Sequence, residues 1–537
     1  MKAMCLAMFA LALLTLFSGC AYGEPARVAP SSPTSLAYTT PSMQTQADSY
    51  LPPTPTSGIT APASSSVSTA TTSLTSSPTP MPDMNADFVR TMRPTFADDV
   101  AANHNLPHYN LSMWIATNKG ILTGTEQIIF PNQTGAPLND VALRLYPNFP
   151  RDVFGKGGDV QMDVTDATVE GQPVEIRYTA QRTAVLLSFP QPLDSGDSTT
   201  LAITFTATIQ PWRDGTWPLP SYYPMLAIHD SEGWRMDVTR FADHVYAESA
   251  FYTAAITIPA DLTIVTSGST IATQTRNDGR TMHIVQTGPV REFALTVGDF
   301  VAAHDVAGAN ADVAVNVYTA HGNGLSVRQI ARVVATALTD FDRRFGPYPY
   351  RELDIHLLPY DYDGGDEYPG LILLYSGGQV DAGTRYVAAH EVAHQWWYGV
   401  VGNDIYREPW LDEAFAQYSG IIYDEDVVSA SVAESDWKRE ILQRYNSALA
   451  DGDLLIGLSI SDYPNFNVYY HTIYGKGPVF LRMLRVELGD DVFFRALQAY
   501  YQRHRYGVTT TRDVQLAFEK ASGQNLEAVF QKWVRGN

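Results

Sequence analysis

The sequence predicts a multidomain protein: an N-terminal all-β sandwich, then an α/β part that becomes mainly α-helical towards its C-terminal end. Three observations predict it. Between about residues 105 and 305, short alternating segments rich in Val, Ile, Thr, Phe and Tyr recur between Gly, Asp, Asn and Pro turns, as in "TTLAITFTATI" and "YTAAITIPADLTIVTSG". Beyond Gly324 the period changes, and "LSVRQIARVVATALTDFDRRFG" places apolar residues at helical spacing before closing on Gly346. After Glu434 nearly everything reads as helix, down to "NLEAVFQKWV". A chain of 537 residues is also long for one core, and no internal repeat divides it.

Taken in order, residues 1 to 20 carry one early lysine, an apolar run from Ala3 to Phe17 and then small residues, the pattern of an export signal. Phe17-Ser18-Gly19-Cys20 resembles a bacterial lipobox, with Phe17 in place of the usual leucine, so residues 1–20 read as a lipoprotein signal peptide. Lipidation of Cys20 is then the expected membrane attachment, with ordinary secretion as the alternative. Residues 21–95 are dominated by Ser, Thr, Pro and Ala and read as a disordered tether. The sandwich is expected over 96–305 and the α/β domain over 306–537. A net charge of −21 argues against nucleic acid or an anionic membrane surface as a partner. Only two cysteines occur, Cys5 and Cys20, so the remainder holds neither a disulfide nor a cysteine-ligated metal. Any metal there must use His, Asp or Glu.

The stretch "HEVAHQWW" invites that question. "TRYVAAHEVAHQWWYGVV" is free of proline and rich in Ala and Val, and on a helix residues i and i+4 share a face. His390 and His394 can therefore bind one ion, with Glu391 projecting beside them as a base rather than a ligand. An isolated pair of this kind is by default two satisfied histidines. A third ligand decides between these readings, and "REPWLDEAFAQYSG" supplies one: Glu413, separated from His394 by eighteen residues, on a second helix that begins near Pro409. Trp396, Trp397 and Trp410 read as core anchors. The run Asp361 to Asp366 does not follow the order of a calcium loop.

These residues resemble the aminopeptidase N-like zinc metallopeptidases of the gluzincin group, whose signature is a HExxH helix followed by a glutamate after eighteen residues. The likeness extends over roughly residues 100 to 537. "GGDEYPG" resembles the family's GxMEN loop, and "YYHTIYGKGPVFLRML" its tyrosine segment. The resemblance implies a thermolysin-like α/β catalytic domain holding one zinc ion per chain through His390, His394 and Glu413. It implies Glu391 as general base and Tyr474 as oxyanion donor. Glu367 would bind the substrate's α-amine in a loop whose Gly364 and Gly365 line the substrate, making the protein an aminopeptidase acting on peptides.

The departures are specific. Asp366 stands where the family loop has methionine, and Tyr368 where it has asparagine. The second amine-binding residue of relatives has no evident counterpart, and Glu248 is the candidate. The chain closes soon after the helical segment that follows Tyr474, which leads us to expect a short form without the helical-repeat domain of larger relatives, and hence a more open cleft. A zinc endopeptidase of the same fold, an epoxide hydrolase of the same family and a catalytically silent cell-surface binding protein are the alternatives. Oligomeric state is not legible.

Overall fold

The computed structural model of the protein describes residues 84–150, 161–239 and 241–536. The export segment, both cysteines and most of the tether lie outside the described residues. The last part of the tether departs from expectation: Met84–Thr91 forms a helix and Pro94–Phe96 a tight helical turn. Phe88, Met92 and Phe96, spaced by four, are buried, and Arg93 pairs with Asp312 and Asp342 at 2.9 and 2.7 Å. Composition averaged over the tether hides this one-face apolar pattern.

The N-terminal domain is built on an eight-stranded sheet and a four-stranded sheet that share one hydrophobic core. Its long strands keep a period of two. In Ile121–Pro131 the residues Leu122, Gly124, Glu126, Ile128 and Phe130 are buried while their neighbours are exposed. His108–Ala116 pairs antiparallel with this strand and parallel with Ala250–Pro259, with Leu111 opposite Glu126 and Ala254.

The boundary between the domains falls earlier than residue 306. Strand Phe300–Ala307 pairs with Val313–Ala320 and belongs to the second domain's five-stranded sheet. Its alternation is the same as that of the sandwich strands, so periodicity alone does not separate them. Across that sheet lie Phe300–Ala307, Val313–Ala320, Glu352–Pro359, Leu371–Ser376 and, at the edge, Gly364–Asp366. The central strand "ELDIHLLP" is parallel to both neighbours and buried along nearly its whole length, which is why it reads as a continuous apolar run. The edge strand runs antiparallel to Leu371–Ser376 and returns the chain towards the metal-site helix.

Helix Val327–Arg344 packs on strands Phe300–Ala307 and Val313–Ala320, Ala382–Ala393 packs on Gly364–Asp366 and Leu371–Ser376, and Trp410–Tyr423 packs against both helices. Gly477–Leu488, Asp490–His504 and Thr511–Ser522 complete the domain. Among the described residues no helix is long and apolar enough to cross a membrane.

Candidate metal centre and active site

The helix Ala382–Ala393 starts where Asp381 caps it, its carboxylate accepting from the backbone N–H of Gly383 and Thr384 at 2.8 and 3.0 Å. His390 and Glu391 lie in its last turn and His394 just past it. Trp396 and Trp397 fix that end in the core: Trp396 Nε1 donates to the Gly346 carbonyl (2.8 Å) and Trp397 Nε1 to Ser419 Oγ (3.2 Å), both rings fully buried. The neighbouring helix Trp410–Tyr423 is buried over its entire length and is tied back by Tyr386, whose hydroxyl donates to the Gln417 carbonyl at 2.7 Å. Two rigid helices therefore present the candidate ligands.

His390 Nε2 and His394 Nε2 stand 3.0 Å apart, and Glu413 Oε2 faces them at 3.4 and 3.5 Å. His394 Nδ1 sits 3.0 Å from the Trp397 carbonyl, which accepts a hydrogen bond from Nδ1–H and so turns Nε2 inward. Glu413 Oε2 and Glu391 Oε2 are buried without a hydrogen-bond partner. Ligand-capable atoms of Glu367, His394 and Glu413 all lie within 4.8 Å of one another, as do those of His390, Glu391 and His394. Tyr474 occupies a π-helical turn, Thr472–Lys476, and its hydroxyl donates to Glu413 Oε1. Gly365 makes room for the base: a Cβ there would fall 2.5 Å from the Glu391 carboxyl carbon.

The electrostatics are those of a buried acidic cluster. Burial raises Glu391 to about 8, with His394 opposing and Glu413 and Asp366 adding to the rise. Glu367 is pushed well up by burial, then by Asp243. Burial alone would raise Glu413, but the two imidazoles outweigh it and hold Glu413 below the ordinary carboxylate range. His394 goes the other way, lifted against its own burial by Glu367, Glu413 and Glu391. The converging donor set of two imidazoles and one carboxylate, with orphaned oxygens pointing inward and excess negative charge around it, fits a divalent cation of the zinc type.

One site residue escaped the sequence. Asp243, in the loop before the sandwich strand Ala250–Pro259, adds its charge to Glu367, and burial followed by the charges of Glu413 and Asp412 raises Asp243 itself strongly. It, rather than Glu248, is the sandwich carboxylate that reaches the site. Glu248 is exposed and lines a separate cleft with Tyr109, Trp234 and Arg291. The segment "FADHVYAES" has no periodic pattern to mark which acid turns inward. Asp366 is tethered away, its Oδ2 accepting from the Tyr375 hydroxyl at 2.6 Å. Tyr368 stacks into a buried patch with Val265, Ala294 and Leu371, and its carbonyl accepts from Gln395 Nε2 at 3.2 Å.

Fold and donor set together define a two-domain protein of the HExxH metal-binding class. Residues 332–533 match the Peptidase family M1 domain, and the chain is similar in sequence to aminopeptidase N and other aminopeptidases. It is 25% identical over 412 residues to Aminopeptidase 2 of Candida albicans, covering 70% of this chain and 43% of that protein. It is 29% identical over 158 residues to Aminopeptidase N of Lactococcus lactis, 28% of this chain and 18% of that one. The chain thus spans less than half the length of these curated relatives. The fold is similar to that of a mutant M1 zinc metallopeptidase from Deinococcus radiodurans solved with Tyr-Ser-Ala as substrate, at a TM-score of 0.60 and 19% identity over 80% of this chain and 94% of that one.

Proposed function

We propose that the protein is a zinc-dependent aminopeptidase that removes N-terminal residues from peptides. The observation that carries this reading is the convergence of His390, His394 and Glu413 beside Glu391, with Glu367 and Asp243 as a second pair of carboxylates at the same centre. His390, His394 and Glu413 would hold one ion per chain. When bound, zinc supplies a Lewis acid for the scissile carbonyl and an acidified water as nucleophile.

Glu391 lies outside the ligand triad, with Oε2 free and aimed into the site, placed to take the proton from the attacking water and pass it to the leaving amine. Tyr474, whose hydroxyl burial and Glu413 keep protonated far above neutral pH, is placed to donate to the developing oxyanion once it turns from Glu413. Glu367 and Asp243 would grip an α-ammonium and so fix which peptide bond reaches Glu391. An endopeptidase of the same fold has no use for that pair.

The test is hydrolysis of an amino acid p-nitroanilide with and without chelator, run beside the N-acetylated substrate. Turnover of the free-amine substrate that is lost on chelation, restored by zinc and absent from the acetylated one supports the reading. Equal turnover of both would return it to an endopeptidase, and no turnover with zinc bound would favour a silent binding protein. We also propose export and attachment through Cys20, on the pattern of residues 1–20 alone; a Cys20→Ala protein that still partitions with membranes would end that part.

A further inference from the structure

The edge strand Gly364–Asp366 closes one side of the catalytic sheet, and among the described residues no strand pairs with its outer edge. Its two faces differ. Gly365 faces the metal-site helix, with Glu391 in the space a Cβ would fill. Gly364 pairs with Tyr375 and faces the opposite side, where a Cβ would meet the rings of Tyr362 at 3.6 Å and Tyr375 at 3.7 Å. Tyr360 meets Tyr362 edge-on at 4.5 Å. Trp212, carried by the sandwich, lies 5.7 Å from Tyr360 and 5.6 Å from Tyr375, and its Nε1 donates to the Pro359 carbonyl at 3.2 Å. Tyr362 and Tyr375 thus flank one glycine, and Tyr360 and Trp212 pack against those two rings.

The acids between the rings are engaged. Asp361 pairs with Arg213 at 3.2 Å, Asp363 accepts from the Thr384 hydroxyl at 3.1 Å, and Asp366 from the Tyr375 hydroxyl at 2.6 Å. Towards solvent the patch offers the Tyr362 ring, 47% exposed, while the Arg213 guanidinium lies over Tyr360, 4.3 Å from its ring centroid.

We infer that Trp212, Tyr360, Tyr362 and Tyr375 form the subsite for the residue just beyond the scissile bond, and that this subsite takes a flat or bulky apolar side chain. The inference rests on the aminopeptidase reading. With the α-ammonium at Glu367 and the scissile carbonyl at Glu391, the peptide continues along the free edge towards Gly364. Side chains of an extended peptide alternate between faces, so the residue after the one beside Gly365 and Glu391 projects to the Gly364 face, onto the rings.

The experiment compares kcat/KM of the zinc-loaded full chain on Leu-Phe amide and Leu-Ala amide, with leucine amide, which has no side chain on the leaving side, as control. The expected preference for Leu-Phe amide is about tenfold, falling to less than threefold in both Tyr362→Ala and Trp212→Ala. A ratio near one in the unmutated enzyme, a ratio that survives both substitutions, or faster turnover of Leu-Arg amide than of Leu-Phe amide overturns the inference while leucine amide turnover leaves the aminopeptidase reading standing. Failure to hydrolyse leucine amide and both dipeptide amides overturns the two together.

Discussion

At the scale of single residues, the site separates groups that hold the ion from groups that move protons. Glu391 belongs to the second kind, because its Oε2 is free and both imidazoles already face Glu413. Glu391→Gln keeps the volume and removes the base, so bound zinc measured by metal analysis should stay at one equivalent while kcat falls by about 10²–10⁴-fold. Loss of the metal with the activity would make Glu391 a ligand instead. Gly365 acts on the same carboxylate through space. Gly365→Ala places a methyl where the Glu391 carboxyl now sits, 2.5 Å from its carbon, and the strand is held to Leu374, so the carboxylate must move. A displacement on the order of 1 Å costs roughly 10²-fold in rate. The expected outcome is a kcat lowered by about that factor with zinc content unchanged, read by the same two assays.

At the scale of elements, the metal-site helix positions more than its ligands. Gln395, one residue beyond His394, accepts from the Gly370 N–H at 2.8 Å and donates to the Tyr368 carbonyl at 3.2 Å, so the helix end clamps the loop that bears Glu367. Gln395→Ala leaves the buried Gly370 N–H unpaired, a loss of about 1–3 kcal/mol, while the Tyr368 carbonyl keeps the bond it accepts from the Leu371 N–H at 3.0 Å. We expect KM for a free-amine substrate to rise several-fold more than kcat falls, at unchanged zinc content; equal effects on both would show that the clamp does not serve amine binding. The same helix shows what sequence discloses. His390, Glu391 and His394 are legible because their relation is local, one turn of one helix, and Glu413 because a second helix with a clear start follows at a fixed distance. Asp243 depends on a loop entering from the other domain, with a left-handed backbone at Ala242 (φ 67°) and no repeating pattern to give its direction. The strand Phe300–Ala307 is legible as a strand but not as belonging to the second domain, since pairing partners are a tertiary property. The helix before the sandwich, with Phe88 and Thr91 buried, is hidden by the composition of its neighbours.

At the scale of the whole molecule, two consecutive buried residues join the sandwich to the catalytic domain. Arg291 is 2% exposed, and its guanidinium donates to the carbonyls of Tyr398 (2.7 Å) and Val400 (3.4 Å), to that of Gly507, and to Ala247 (3.1 Å) on its own side. Glu292 is fully buried and accepts from the hydroxyls of Ser221 and Tyr398, the latter just past the metal-site helix in a backbone conformation, φ 113°, that few side chains adopt. Burial raises Glu292 from 4.5 to about 7, opposed by those two hydroxyls and helped by Asp366. The folded protein therefore holds this proton more tightly than the unfolded chain does. Its contribution to stability is complete below pH 4.5 and is lost as pH rises through about 7, a swing of about 3 kcal/mol at most, taking 1.36 kcal/mol for each of roughly 2.5 units. Glu292→Gln cannot ionise. With zinc held constant, urea unfolding should show the unmutated protein losing stability from pH 5 to pH 8 relative to the variant, whose profile is flatter by up to that amount. Identical slopes would mean that Glu292 keeps the same charge in the folded and unfolded protein, and that the join between the domains does not feel pH through this carboxyl.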